Sequence, residues 1–204
     1  MDGSDKPGSA SVHLHRDSSA EERRPVTELY GVFRRPRNDG DRSAGDVAAR
    51  EGALYFALPE PPRPPSISEE DWHSARLGNV VEAEGRLLLA GIGAEGDMLY
   101  AAPTDNDCIA LALLPGGSGG CAAPGPDGLE LGWHQDETGG LTVFGLVADA
   151  VQGVEVVVAG TTHQARMGEN AFGLHLERTH EADMERVVLH RRDGTTNGVE
   201  LGLE

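Results

Sequence analysis

The sequence predicts a mainly β protein, an antiparallel β-sandwich or a partly open barrel, preceded by a short helical N-terminal arm. From residue 79 onward, short apolar runs with a period of two recur about every ten residues, with Gly, Asp or Asn between them. No helical pattern long enough for a βαβ crossover lies between these runs, so we expect antiparallel rather than parallel pairing.

The apolar content divides the chain into three segments: a disordered tail over 1–25, a helical arm over 26–78 that packs on the body, and an antiparallel β domain over 79–204. Residues 1–78 contain 12 Leu, Ile, Val and Phe residues, and residues 79–204 contain 32. Only the second part has enough large apolar side chains to build a core by itself. The tail is polar, without periodicity, and it lacks the apolar stretch of a signal peptide.

The arm begins with one apolar stripe at helical spacing, formed by Val26, Leu29, Tyr30 and Phe33. This stripe predicts a helix that ends before Pro36. A second short helix is expected over 41–51, a polyproline-like connector over 59–65, and a capped helix from Ser68 to Gly78.

The β domain is expected to contain eleven short strands joined by tight turns, among them the hairpin turns Asp193-Gly194 and Ala159-Gly160-Thr161. The predicted strands are Val80–Glu84, Arg86–Ala90, Asp97–Ala101, Cys108–Leu114, Leu129–Trp133, Leu141–Val147, Val154–Ala159, His163–Met167, Ala171–Leu176, Arg186–His190 and Val199–Leu203.

The formal net charge of −17 argues against a nucleic-acid partner and against an anionic membrane surface, because both need a cationic face. No apolar run is long enough for a transmembrane segment. Aromatic residues make up only 4% of the chain, fewer than a glycan-stacking surface needs, so we expect a protein partner and no cofactor.

Two glycine motifs resemble catalytic signatures and are interpreted as structural. The GxGxxG pattern at 91–96 follows a strand but precedes no long helix, since Pro103 is close, and it is expected to form a glycine-rich hairpin. The GxSxG pattern at 116–120 also lacks the helix of a nucleophile elbow, and it is expected to form a flexible loop.

No catalytic set stands out, and the weak candidates are His134, Asp136 and Glu137. They lie beside Trp133, which would serve as a stacking platform for a sugar next to an acid/base pair. No metal site is expected, although Asp105 and Asp107 are weak candidates for a cation site that lacks the other EF-hand ligands.

Cys108 and Cys121 fit neither a zinc motif nor a CxxC redox motif. A disulfide between them would close the glycine-rich loop and stabilise the fold by roughly 3 kcal/mol in the chain-entropy model. The alternative, two reduced cysteines, stays open.

Arg34, Arg35 and Arg37 form a small basic cluster in an acidic protein. Because the β domain carries most of the negative charge, an intramolecular charge contact between arm and body is expected, and an anion-binding role is the alternative.

The order of these motifs resembles an uncharacterised family of predicted exported or membrane-anchored β-rich actinobacterial proteins of unknown function, over residues 26–204. The resemblance rests on YGVFRRPR (30–37), Asp41-Arg42, Ser74-Ala75-Arg76, Cys108 and Cys121, VFGLVAD (143–149), VEVVV (154–158) and Asn170-Ala171-Phe172. It implies an extracytoplasmic β-rich module behind an N-terminal anchor or signal, whereas the polar composition of residues 1–25 predicts neither within that segment. The function expected is a non-catalytic interaction or structural module, and the alternative is a hydrolase with a loop-built acid/base site, for which a glycan is the candidate substrate.

Overall fold

The structure is a computed structural model that describes residues 26–50, 85–93, 96–103, 109–114, 117–122, 128–136 and 138–201. The predicted tail, the connector, the helix from Ser68 and the strand Val80–Glu84 lie outside these residues. The helical elements are α1 (Val26–Leu29), a 3₁₀ turn (Gly31–Arg34), α2 (Asp39–Arg50) and a second 3₁₀ turn (Glu181–Asp183). The strands are β1 (Arg86–Ile92), β2 (Asp97–Pro103), β3 (Ile109–Leu114), β4 (Gly117–Ala122), β5 (Glu130–Gln135), β6 (Leu141–Leu146), β7 (Val151–Val158), β8 (Thr161–Gln164), β9 (Arg166–Met167), β10 (Ala171–Leu176), β11 (Met184–Arg191) and β12 (Thr196–Glu200).

The described strands form three antiparallel sheets of four strands each. The first sheet has the order β1-β2-β3-β4, the second β5-β6-β10-β9, and the third β12-β11-β7-β8. The predicted fold class, a mainly β antiparallel sandwich with a short helical N-terminal arm, is confirmed.

The second sheet is the middle layer, because its two faces belong to two different cores. On β6, Phe144 and Leu146 pack with Leu99 and other residues of the first sheet. The alternate residues Leu141 and Val143 pack instead with side chains of the third sheet. Successive side chains of a strand point to opposite faces, so this alternation gives β6 two buried faces.

The arm contributes side chains to the first core and covers the outer face of the first sheet. Tyr30, Val32 and Phe33 are buried between the first and second sheets. On the opposite face of the first sheet, α2 packs Ala44 and Ala48 against small and aliphatic side chains of β2 and β3. The small alanines allow the helix to approach the sheet closely, and β3 is consequently buried along its whole length.

The single N-terminal helix predicted from the apolar stripe is wrong, because the helix is interrupted at Tyr30, which has extended backbone angles. Gly31 N donates to a side-chain oxygen of Asp149 at 2.6 Å, and Val32 N donates to Asn170 Oδ1 at 2.9 Å. The side-chain oxygens of Asp149 and Asn170 therefore accept hydrogen bonds from amide groups that, in a continuous helix, would donate to carbonyl oxygens of the helix itself.

The structure confirms the predicted conformation of one glycine motif and contradicts that of the other. The GxGxxG segment joins β1 and β2 as a hairpin, as predicted, with Gly93 and Gly96 at positive φ. The predicted loop at 116–120 is wrong, since Gly117–Ala122 forms β4 and pairs with β3. A fully apolar β3 needs backbone partners along both edges, and this need outweighs the low strand propensity of glycine.

Two hairpin turns match the sequence prediction: 159–160 joins β7 to β8, and 193–194 joins β11 to β12. The predicted strand His163–Met167 is divided at Ala165. Its first part, β8, pairs with β7 in the third sheet, and its second part, β9, pairs with β10 in the second. One continuous segment therefore belongs to two sheets.

Candidate functional site

An open pocket of about 410 Å³ lies where the arm meets three loops: the β6–β7 connection, the β9–β10 turn and the β11–β12 turn. Its polar wall is formed by Arg34, Asp149, Glu169, Asn170 and Arg192. This volume is within the ordinary range for a small-ligand pocket, about 300–1,000 Å³.

Asp149 joins the arm to the body. Its Oδ1 accepts hydrogen bonds from Gly31 N at 2.6 Å and from Asn170 Nδ2 at 2.8 Å, and its Oδ2 accepts one from Arg34. Burial by itself raises the pKa of Asp149, but the hydrogen bonds from Arg34, Asn170 and Gly31 outweigh it and hold the pKa below its usual value. The carboxylate is thus charged and already satisfied by the chain itself.

Asn170 completes this junction from the β9–β10 turn, where it has a φ of 54°. Asparagine tolerates the left-handed region better than most residues because its short side chain bonds locally. Its Oδ1 accepts from Val32 N, its Nδ2 also donates to Val147 O at 3.1 Å, and its carbonyl accepts from Val147 N at 2.9 Å. The side chain therefore orients the arm and the β6–β7 connection together.

Arg35 forms the second junction between arm and body. Its guanidinium donates to both oxygens of the fully buried Asp41, at 2.6 and 2.9 Å, and its Nε donates to Glu169 Oε2 at 2.8 Å. Asp41 also accepts from Leu87 N and Asn38 N. Burial by itself raises the pKa of Asp41, but the hydrogen bonds from these donors outweigh burial and lower the pKa to about 2. The buried carboxylate fixes the start of α2 against β1.

The three arginines predicted to contact the body have different partners. Arg34 and Arg35 reach the carboxylates of Asp149 and Glu169, which lie in loops of the second sheet. Arg37 Nη2 lies 3.4 Å from the carbonyl oxygen of Asp41, within the arm itself.

Arg192 differs from Arg34, the other cationic residue in the described lining of the pocket. Its backbone N donates to Ala150 O at 2.9 Å, but its exposed side chain makes no hydrogen bond or ion pair with any residue that the structure describes. The sequence reasoning missed Asp149, Asn170 and Arg192. The Gly168-Glu169-Asn170 turn before a strand was the available signal, since asparagine is common in turns and tolerates a positive φ.

The weak acid/base candidates lie at the other end of the second sheet. Asp136 Oδ1 accepts from Thr138 N, Thr138 Oγ1 and Gly140 N at 2.7–2.8 Å, and these bonds lower the pKa of Asp136. Asp136 therefore closes the turn after β5. Glu137 lies outside the described residues. The predicted role of Trp133 as a stacking platform is wrong: it is 3% exposed, faces the third sheet and donates to Glu181 at 2.7 Å.

His134 occupies one row across the second sheet with Thr142 and His175. Thr142 Oγ1 lies 3.0 Å from His175 Nδ1, and Thr142 is 2% exposed. The tip of the β1–β2 hairpin lies over Thr142, since a Cβ on Gly93 would be 3.4 Å from its hydroxyl oxygen. His134 Nδ1 is buried and has no hydrogen-bond partner among the described residues. The hairpin thus separates this row from solvent at Thr142.

The remaining candidates are only partly described. Asp105, Asp107 and Cys108 lie outside the described residues, while Cys121 is on β4 with Ala110 opposite it on β3. Within the described part of the chain, no group of three or more His, Cys, Asp or Glu side chains is arranged to hold a metal ion.

Glu130 is a buried carboxyl group that the sequence reasoning also missed. It is 6% exposed, it begins β5, and burial raises its pKa to about 8. Nearby, the buried Tyr30 hydroxyl donates to Gly128 O at 3.2 Å. Burial and then the charge of Glu130 raise the pKa of Tyr30. Glu130 is not among the residues that line the pocket.

Comparisons with protein-family models, with curated proteins and with solved structures found no match. In the described segments, no helix has both the length and the apolar character required to cross a membrane.

Proposed function

We propose that this chain is a non-catalytic, extracytoplasmic interaction module that binds a protein partner at the pocket beside the arm. The main support is the state of the pocket's polar groups. The carboxylates of Asp149 and Glu169 are engaged by Arg34 and Arg35, and the lining residues in the described part of the chain include no histidine, cysteine or serine. Such a wall suits recognition better than proton transfer.

The alternative is a hydrolase that uses His134 and Asp136. The unsatisfied Nδ1 of His134 favours it. Against it, Asp136 Oδ1 already accepts three hydrogen bonds within its own turn, and Trp133 faces away from any sugar that these residues would meet. We therefore prefer the interaction module.

The extracytoplasmic location and a disulfide between Cys108 and Cys121 belong to the same proposal. Their support is the family resemblance and the cysteine spacing, because disulfides persist in oxidising compartments. Closure of the β3–β4 segment by this bond would add to the pairing of those two strands.

The proposal is tested by site-specific photo-crosslinking. A diazirine amino acid close to methionine in size replaces Met167, which lines the pocket, and the same amino acid replaces the exposed Thr162 on β8 as a control. In the native envelope fraction, we expect a discrete protein adduct from the Met167 variant alone. Adducts of equal yield from both positions, or none from either, would contradict the proposal.

A further inference from the structure

The backbone of the β11–β12 turn holds Arg192 at the pocket. Arg191 N donates to Thr195 O at 2.9 Å, Gly194 N donates to Arg191 O at 3.0 Å, and Asp193 Oδ1 accepts from Thr195 N at 2.9 Å. The Arg192 amide itself donates to Ala150 O, next to the residue that joins the arm to the body. These bonds define where the side chain starts, so its guanidinium stays within reach of the pocket.

Neither of the acidic groups that line the pocket makes an ion pair with Arg192. Both oxygens of Asp149 accept hydrogen bonds from other groups, and Glu169 Oε2 accepts from Arg35. A guanidinium carries five N–H donors in a planar fork that matches a carboxylate in two parallel hydrogen bonds. Arg192 is thus a cation at a preformed pocket whose hydrogen-bonding capacity is unused by the described residues.

Met167 is the apolar side chain that the wall presents, since it lines the pocket and is half-buried. Val147 and Val151 also line the pocket, but at 1% and 6% exposed they offer little surface of their own. A ligand that pairs with Arg192 would therefore place an aliphatic group against Met167. The guanidinium of Arg192 and the apolar part of the lining together favour a carboxylate on an apolar peptide segment over a highly charged or phosphorylated segment.

We propose that Arg192 anchors a carboxylate of a short aliphatic peptide segment of the partner, an inference that rests on the proposed function. The carboxylate comes from an acidic side chain or from a C-terminus, and both offer the same pair of oxygens. The net charge of −17 opposes long-range attraction of an anion. Recognition therefore depends on the direct contacts with Arg192 and with Met167.

The test uses three blocked peptides and the amide NMR signals of Gly31 and Gly168, which line the pocket. Acetyl-Ala-Leu-Asp-Leu-amide carries a side-chain carboxylate, acetyl-Ala-Leu-Asn-Leu with a free C-terminus carries a terminal one, and the Asn amide is the neutral control. We expect saturable shifts with one or both acidic peptides and an affinity at least tenfold weaker for the neutral peptide.

Arg192→Gln should weaken binding of the acidic peptide at least tenfold. The matched control is Arg186→Gln, which makes the same charge change on the third sheet, where Arg186 is half-exposed. The inference is overturned if neither acidic peptide gives saturable shifts, if Arg192→Gln binds like the unaltered chain, or if both variants weaken binding equally.

A repeat of the Met167 crosslinking with Arg192→Gln separates the two proposals. If the adduct persists and Arg192→Gln binds the acidic peptides as tightly as the unaltered chain, the proposed carboxylate anchor is wrong and the proposed interaction module stands. If peptide binding requires Arg192 but no protein adduct forms at Met167, the anchor stands and the proposed function is wrong.

Discussion

At the scale of single residues, two buried carboxyl groups have pKa values on opposite sides of the ordinary range. Asp41 receives hydrogen bonds from Arg35 and from two backbone amides, and its pKa lies at about 2. Glu130 makes no hydrogen bond or ion pair with a described residue through its carboxyl group, and its pKa lies at about 8. Burial raises the pKa of both carboxyl groups, so the hydrogen-bond donors around Asp41 account for its much lower pKa. The spacing of residues in the sequence does not reveal such donors.

Glu130→Gln should stabilise the protein above neutral pH. An ordinary glutamate ionises at 4.5, so between pH 4.5 and 8 the folded chain holds a proton that the unfolded chain has released. The free energy of unfolding therefore falls by about 1.4 kcal/mol per pH unit over this interval. Urea unfolding at pH 8 should show the variant roughly 2–4 kcal/mol more stable, with little difference near pH 4.5.

The exposed Glu177→Gln is the matched control, because it removes the same charge without changing a buried group. Parallel pH dependences of the unaltered chain and Glu130→Gln would show that the Glu130 carboxyl is not held neutral in the folded protein.

At the scale of elements, the strands could be predicted far better than the arm or the pocket. Strand β10 matches its predicted bounds because alternation is a local signal. The break at Tyr30 depends on Asp149 and Asn170, which lie 118 and 138 residues from the amides they bind. No window of sequence around the arm contains that information. Strand β4 was missed because its pairing is required by β3 rather than by its own glycines.

Asp149→Ala should loosen the arm while leaving the sheets intact. The substitution removes the acceptor of Gly31 N and one acceptor of Arg34, and the loss of these bonds should lower stability by roughly 1–2 kcal/mol. Hydrogen exchange should accelerate at Gly31 and Val32. The part contributed by Arg34 should decrease at high salt, because that pair is half-exposed.

Asp136→Ala is the control, since Asp136 closes a comparable turn without touching the arm. Equal acceleration of arm exchange in both variants would contradict the role assigned to Asp149.

At the scale of the whole molecule, four layers stack in order: α2, the first sheet, the second sheet and the third. The predicted sandwich supplied two of these layers, and the polar and apolar alternation predicted most of the described strands, although not β4. That alternation could not distinguish a strand buried on one face from β6, which is buried on both. The pocket lies where loops from several layers meet the arm, and such a meeting point depends on the assembled fold.

The pH of maximal stability should lie on the acidic side of neutral, at about pH 4–6. Asp41, Asp136, Asp149 and Asp193 have lowered pKa values, so their contribution is present above their ordinary pKa of 3.8 and is lost as the pH falls further. Glu130 has the opposite effect, and stability declines as the pH rises from 4.5 to 8. Repulsion within a chain of net charge −17 also grows with pH.

Thermal unfolding measured from about pH 3 to pH 9 checks this profile. The alkaline decline should flatten in Glu130→Gln. A maximum above pH 7 in the unaltered chain would contradict the assignment of the raised and lowered groups.

The strand that changes sheets at Ala165 ties two layers with covalent bonds. The Ala165 amide donates to Val154 O, β8 on one side of it pairs within the third sheet, and β9 on the other side carries Met167 to the pocket. The second and third sheets therefore cannot slide past each other or separate at this corner unless one of the two ladders breaks. A force on the pocket wall at Met167 would act along the chain on the connection between these two layers, so this covalent link lies directly beside the pocket.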